Sequence, residues 1–205
     1  MGFIKGMASM SRYRLIEEPE GGLTDEFVQR RLEENAFVDI EETSEESSLG
    51  WVQIFDQLSS AFPQEDWRFG EVLAFSLRLD ERKLPARTLS RYCAIGEARF
   101  AAQTGHKPNS VKKKEIKDAL RQDLMRRSLL DTKLLEVVWL AETNEVWLGA
   151  TGEKDRALFE EAWARTFGLG LRLLVPVTIG QEILKKPLLG QLMALRNPSS
   201  FGESE

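Results

Sequence analysis

Apolar and polar residues alternate at several points in the first half of the chain, and a two-residue period is typical of half-buried β-strands. The alternation predicts four strands, over residues 10–16, 36–40, 50–55 and 71–79. Between the first two, Thr24 is followed by Asp25 and Glu26. A hydroxyl that caps the first turn, followed by acids that suit the positive end of the helix dipole, predicts a helix there.

The middle of the chain changes to a helical period, which predicts two long helices in succession. Pro85 opens the first, which ends near residue 103, because proline is tolerated in a first helical turn. A loop with Gly and Pro interrupts the pattern, and Ser110 is the predicted cap of a second helix that ends near residue 128. An apolar stripe on this second helix is predicted to pack on the rest of the domain and consists of Ile116, Leu120 and Leu124.

The last third of the chain predicts two strands, a helix and a third strand. A β-hairpin with strands over residues 133–141 and 145–150 is followed by a helix over 153–167 and a strand over 171–177. Residues 181–195 are predicted to be helical, and a frayed end follows. The whole pattern predicts an α+β fold with antiparallel or mixed sheets, in which the two long helices project as a hairpin.

Four segments follow from these elements. They are an N-terminal α+β half, a helical hairpin or finger with a basic patch, a ββαβ half, and a C-terminal helix with its tail, over residues 1–80, 81–131, 132–180 and 181–205. No internal repeat adds a further segment to this division.

Composition narrows the class of protein. The chain has 205 residues, of which 42% are hydrophobic, which is enough to bury a core. Cys93 is the only cysteine, so no intramolecular disulfide is expected. No apolar run approaches the roughly 20 residues that a membrane span needs. We therefore expect a soluble cytoplasmic protein with no membrane partner.

Charge is strongly segregated along the chain, although the net charge is only −5. Residues 17–46 contain twelve acids and two Arg, a local net charge of −10. Residues 106–127 contain eight Lys or Arg and three acids, a local net charge of +5. Such asymmetry indicates the kind of partner rather than the fold.

The basic stretch is the candidate functional surface. On a helix, Lys113, Lys117 and Arg121 recur every four residues and share one face. Positive groups at this spacing suit the phosphates of duplex DNA and need no base-reading geometry. The predicted DNA-binding set adds further cations of the stretch and of the preceding helix, namely Lys107, Lys112, Lys114, Arg126, Arg127, Arg87 and Arg91. A solvated helix face without a ligand is the alternative interpretation.

An enzymatic site finds less support in the sequence. His106 is the only histidine and lies in a loop, and Cys93 lies on an apolar helix face, so a zinc site or a His-based dyad is not expected. The acids and lysine between Asp80 and Lys83 resemble the acid-x-lysine element of metal-dependent nucleases, and this keeps a nuclease as an alternative. We predict no catalytic residue, no metal, no cofactor and no small-molecule substrate.

The order of these features resembles the RdgC family of recombination-associated proteins. The resemblance rests on the strand before Lys83-Leu84-Pro85, the long helix after it, the Lys-rich stretch from Lys112 to Lys117, the hairpin with Trp139 and the closing Val175-Pro176-Val177. It covers about residues 8–178, and relative to longer family members the chain is shortened at its C-terminus.

The resemblance implies an α+β protein that dimerises, encircles duplex DNA without sequence preference and restrains the RecA recombinase on the nucleoid. It also implies that residues 112–127 form a projecting finger, with Leu129 and Leu130 near its tip. We therefore predict a non-enzymatic DNA-binding homodimer that modulates recombination or replication. The alternatives are a metal-dependent nuclease, a label sometimes attached to the family, and a protein-interaction module without DNA binding that uses the acidic segment.

Overall fold

The computed structural model describes residues 3–175 except 5, 7, 8, 20 and 44, together with residue 179. The predicted C-terminal helix over residues 181–195 and its tail lie outside the described residues, as do residues 176–178. Among the helices described, none is long and apolar enough to cross a membrane.

The described part of the chain forms one seven-stranded sheet, and all neighbouring strands in it are antiparallel. The strands are β1 (Ser11–Leu15), β2 (Ser47–Gln53), β3 (Arg68–Phe69), β4 (Val72–Arg82), β5 (Leu130–Leu140), β6 (Glu145–Leu148) and β7 (Leu171–Leu173). Their order is β2-β4-β5-β6-β1-β7, and the short β3 pairs with the start of β4. The sheet joins strands of both predicted α+β halves in one surface.

The core lies between this sheet and two helices, α1 (Asp25–Glu34) and α4 (Glu153–Phe167). Trp139 on β5 and Trp163 on α4 meet edge to face with ring centroids 4.9 Å apart, and both are fully buried. The indole of Trp51 on β2 donates to the Thr166 hydroxyl of α4 at 2.8 Å, which satisfies two buried polar groups. The helix α1 begins as predicted, with the Thr24 hydroxyl accepting from the backbone N–H of Phe27.

The two long helices, α2 (Ala86–Thr104) and α3 (Ser110–Arg127), are inserted between neighbouring strands. The strands β4 and β5 pair along their whole lengths, from Val72 opposite Leu140 to Arg82 opposite Leu130. The first helix leaves the sheet where β4 ends, and the second returns where β5 begins. The α+β class is therefore confirmed.

Several strand limits differ from those predicted. The strand β4 continues to Arg82 instead of ending at residue 79, because β5 starts at Leu130 and pairs with it throughout. At the other end of the chain, β7 ends at Leu173, so the predicted strand over residues 171–177 is too long within the described residues.

The predicted strand over residues 36–40 is wrong. Only Ala36 pairs, through an isolated parallel bridge to Trp51 at the edge of β2. Gly50 makes this contact close, since a Cβ at that position would lie 2.4 Å from the Cα of Phe37. Beyond Phe37 the chain turns away from the edge, and the carbonyls of Ile40 and Glu41 accept hydrogen bonds from Arg82 instead of from a strand.

Candidate nucleic-acid interface

The basic helix α3 has well-defined ends. Its N-cap is Asn109, whose side chain accepts from the backbone N–H of Lys112 at 2.9 Å, so the prediction of Ser110 as the cap is one residue late. At the C-terminus, Arg126 and Arg127 occupy the last turn, where cations suit the negative end of the helix dipole. Both ends of α3 are therefore defined by residues of its own sequence.

The helix α3 packs on α2 rather than on the sheet. Gly96 of α2 permits the contact, because a Cβ there would lie 2.9 Å from Ile116 Cγ2 and 3.2 Å from Leu120 Cδ1. The apolar residues Ile116 and Leu120 therefore face α2, and not the sheet. Among the described residues, α2 buries none and α3 buries only Met125, so most side chains of both helices are open to solvent.

The predicted face of α3 is partly neutralised by acids. Lys113 pairs with Glu97 of α2 at 3.2 Å, and Arg121 pairs with Glu46, which belongs to the acidic segment, at 2.6 Å. Lys117 lies between them and makes no ion pair with any described residue. Lys114, one residue round the helix from Lys113, is also exposed and without an ion pair within the described ranges.

Other cations of α3 lie on a different side of the helix. Arg126 is nine residues from Lys117, which at 100° per residue amounts to half a turn. It lines a cleft at the sheet end of the helix together with Arg127, Arg78 and Arg82. Arg127 also pairs with Asp123 at 2.9 Å. The structure therefore does not bring all the predicted cations of α3 onto one face.

Four more predicted cations lie on this helical pair or in its connecting turn. Arg87 and Arg91 are exposed on α2, and they lie nine and five residues before Gly96, on the side of α2 that faces away from α3. Lys107 is exposed in the loop between the helices. Lys112 is half-buried, pairs with Glu115 at 2.8 Å and lies over the ring of Phe100.

Charge nevertheless accumulates on the helical pair as a whole. Residues 86–128 carry eleven Lys or Arg and four acids, a net charge of +7, and the remaining residues therefore carry −12. The positive charge belongs to a slender element exposed on several sides, and much of the negative charge belongs to residues 17–46. This separation favours phosphate contacts along the helices and disfavours them on the rest of the surface.

Arg82 fixes the position of this element and was not predicted from the sequence. Its guanidinium is buried and donates to the carbonyls of Met125 and Ser128 at the end of α3, at 3.1 and 2.8 Å. The same group donates to the carbonyls of Ile40 and Glu41, both at 2.7 Å. A single side chain thus ties the end of the basic helix to the acidic segment.

Leu129 and Leu130 do not lie at the tip of the helical pair. Leu130 is the first residue of β5, and Leu129 precedes it with 91% of its surface exposed. The turn between the helices is formed by residues 105–109, at the opposite end of α3, because α3 returns to the sheet.

The acids of the predicted nuclease element are engaged within the protein. Asp80 is fully buried, and both its oxygens accept from Arg78, at 3.0 and 2.6 Å. Lys83 is exposed and hydrogen-bonded to Asp131, which raises the pKa of Lys83. Among the described residues, no three His, Cys, Asp or Glu side chains are grouped so as to hold a metal ion.

A sequence model of a protein family matches residues 8–169, which is most of the chain, and its description reads "Putative exonuclease, RdgC". The chain belongs to the RdgC family. The part that matches the RdgC family contains β1 to β6 and all four helices of the described structure. The basic helical pair is therefore part of the family region, and the resemblance noted in the sequence is confirmed. No curated protein matches the chain.

Proposed function

We propose that this chain binds duplex DNA without sequence preference, as a homodimer on the nucleoid, and modulates recombination or replication, with the RecA recombinase as a candidate partner. The observation that carries the proposal is the exposed and unneutralised charge of Lys114 and Lys117 on a helical pair whose net charge is +7. Cations without a protein partner are the ones that can replace the counterions of a phosphate backbone.

The type of cation supports binding without sequence preference. Lys107, Lys114 and Lys117 end in ammonium groups, which act as point charges and lack the planar fork with which an Arg meets a base in a fixed geometry. Arg121 has such a fork, but it already contacts Glu46. These three lysines are thus suited to phosphates, and phosphate contacts carry no sequence information.

We expect a mobility-shift titration at low salt to give equal affinities for two duplexes of equal length and unrelated sequence. The reason is that the proposed contacts reach phosphates alone. A duplex-binding protein of this kind also shifts either duplex with no need for Mg²⁺. Affinities that differ by more than about tenfold between the two sequences, or no shift with either, would contradict the proposal.

We expect no digestion of DNA in the same titration when Mg²⁺ or Mn²⁺ is added. The carboxylate of Asp80 is occupied by Arg78, and Lys83 is occupied by Asp131. A metal-dependent nuclease needs free carboxylates that converge on the ion. Degradation that depends on the metal and disappears in the Glu81→Gln variant would transfer the function to the nuclease alternative.

We expect light scattering at tens of micromolar protein to give twice the monomer mass of 23.3 kDa. In the proposed dimer, two basic helical pairs contact the same duplex. The dimer therefore makes twice as many phosphate contacts as a single protomer. A particle of monomer mass at these concentrations would remove the dimer from the proposal.

A further inference from the structure

A cleft of about 530 Å³ lies where the end of α3 meets the start of β5, next to the sheet. Its wall contains four arginines, which are Arg78, Arg82, Arg126 and Arg127. We call it the arginine cleft. The exposed side chain of Leu129 and the carboxylate of Glu41 also line it. The duplex binding proposed above rests on Lys114 and Lys117 and uses none of these groups.

Three of the guanidiniums differ in what already occupies them. Arg78 is engaged by Asp80, whose two oxygens accept from it. Arg127 pairs with Asp123 at 2.9 Å, but both side chains are largely exposed, so solvent screens the pair and Arg127 can exchange it for another carboxylate. Arg126 is exposed and makes no ion pair within the described part of the chain. The cleft therefore offers one unpaired guanidinium fork and one that is weakly paired.

The fourth arginine adds a buried donor to the cleft. Arg82 is only 6% exposed, and its two terminal nitrogens donate to backbone carbonyls. Its Nε is also buried, and no described residue accepts a hydrogen bond from it. A buried N–H without an acceptor is unfavourable and uncommon in proteins. A ligand that brings an oxygen to this side chain would satisfy the donor.

An apolar side chain lies beside these cations. Leu129 precedes β5 and has 91% of its surface exposed, three residues after Arg126. An arginine meets a carboxylate through two parallel hydrogen bonds, and a leucine gains stability when a partner removes its surface from water. The two side chains together suit a peptide segment in which acidic and apolar residues are neighbours.

Two features disfavour the phosphate backbone of a duplex at this cleft. Arg126 lies half a turn of α3 away from Lys117, so the two cannot lie on the same side of the helix. The acidic segment, residues 17–46, also borders the cleft through Glu41. A duplex carries one charge per about 1.7 Å of its axis and would bring several phosphates close to these acids. A short peptide needs only one or two carboxylates at the arginines and continues with neutral residues.

We propose that the arginine cleft binds an acidic peptide segment of a partner protein, with a carboxylate on Arg126 and an apolar side chain against Leu129. Arg127 and Arg82 supply further donors to the same segment. Because the cleft and the exposed lysines lie on opposite sides of α3, the chain holds this segment and a duplex at the same time. The site does not depend on duplex binding.

Fluorescence anisotropy with the full-length chain tests the site. The probe is a fluorescein-labelled peptide of four glutamates followed by two leucines, and two companion peptides carry glutamines for the glutamates or serines for the leucines. We expect saturable binding of the probe, no binding of the glutamine peptide and about tenfold weaker binding of the serine peptide. Equal binding of the probe and the serine peptide, or no saturation by the probe below about 1 mM, overturns the proposal.

Two variants with matched controls locate the contact. Arg126→Gln is expected to weaken probe binding about tenfold, because a carboxylate loses its bidentate partner. Its control is Arg91→Gln, which removes the same charge from an exposed position on α2. Leu129→Ser is expected to weaken binding about tenfold as well. Its control is Val111→Ser, an exposed apolar position at the other end of α3. Both controls are expected to bind nearly as the wild type, and a control that loses as much as its partner variant overturns the cleft.

Competition with an unlabelled duplex separates this site from the proposed function. We expect an excess of duplex to leave the probe bound, and the Lys114→Ala, Lys117→Ala protein to bind the probe nearly as the wild type. Displacement of the probe by the duplex assigns the cleft to phosphates and overturns the peptide site. Probe binding without duplex binding supports the cleft and overturns the proposed function, whereas duplex binding without probe binding does the reverse.

Discussion

Replacing Lys114 and Lys117 together by Ala is expected to weaken duplex binding by about a hundredfold at 0.1 M salt for each protomer that contacts the duplex. Each phosphate that a cation neutralises contributes about 0.9 to the slope of log affinity against log salt, which corresponds to roughly tenfold in affinity per phosphate at that salt concentration. The weakening should be the same for duplexes of different sequence. Fluorescence anisotropy with labelled duplexes measures it, and circular dichroism checks that the fold is kept.

Two control variants that remove the same charge test whether the position of the lysines matters. Arg30→Ala with Lys154→Ala removes the same charge from exposed side chains on α1 and α4, and it is expected to bind as the wild type. Lys113→Ala with Arg121→Ala removes the same charge from the same helix, but Glu97 and Glu46 already neutralise these two cations. It is expected to weaken binding less than the Lys114 and Lys117 pair. Equal losses in all three variants would mean that only the total charge matters.

Replacing Arg82 by Met is expected to lower the free energy of unfolding by roughly 3 kcal/mol, which is a large share of the stability of a single domain. The carbonyls of Ile40, Glu41, Met125 and Ser128 would lose a charged donor, and the buried ones have no water to replace it. Urea denaturation followed by tryptophan fluorescence measures the change, since the chain has five Trp.

The neighbouring Lys83→Met variant is the control for this measurement. Lys83 is exposed, and its partners Glu81 and Asp131 are largely exposed as well, so solvent screens the pairs and the urea midpoint should remain near that of the wild type. An Arg82→Met protein as stable as the Lys83→Met protein would show that the buried guanidinium does not hold the end of α3 to the acidic segment.

Local features of the sequence predicted most of the fold. The capping hydroxyl of Thr24 and the short break between the strands predicted over residues 133–141 and 145–150 each act within a few residues, and the structure has a helix start and a hairpin at these places. The prediction of a strand over residues 36–40 failed because the backbone of that segment pairs at one residue only. Further along the segment, the carbonyl of Ile40 accepts a hydrogen bond from Arg82, which is 42 positions away. Contacts of this separation leave no periodic signal in the chain.

The candidate interface shows the same limit. The four-residue spacing from Lys113 to Arg121 correctly placed these cations on one helix. It could not predict the ion pair between Arg121 and Glu46, because these two residues are 75 positions apart in the sequence. Helix geometry alone shows that Lys117 and Arg126 lie on opposite sides of a helix, so their separation could have been predicted from the sequence.

The salt dependence of duplex binding by the wild-type protein tests the central claim most directly. If about four phosphates are contacted by each protomer, and therefore about eight by the proposed dimer, log affinity of the dimer should fall with log salt at a slope of roughly −7, the same for unrelated sequences. The slope is measured on two duplexes at salt concentrations from about 50 to about 300 mM, a range over which the screening of charges by salt changes strongly. A flat response to salt, or a slope that appears for one sequence only, would contradict the account of α3 as a surface for the phosphate backbone.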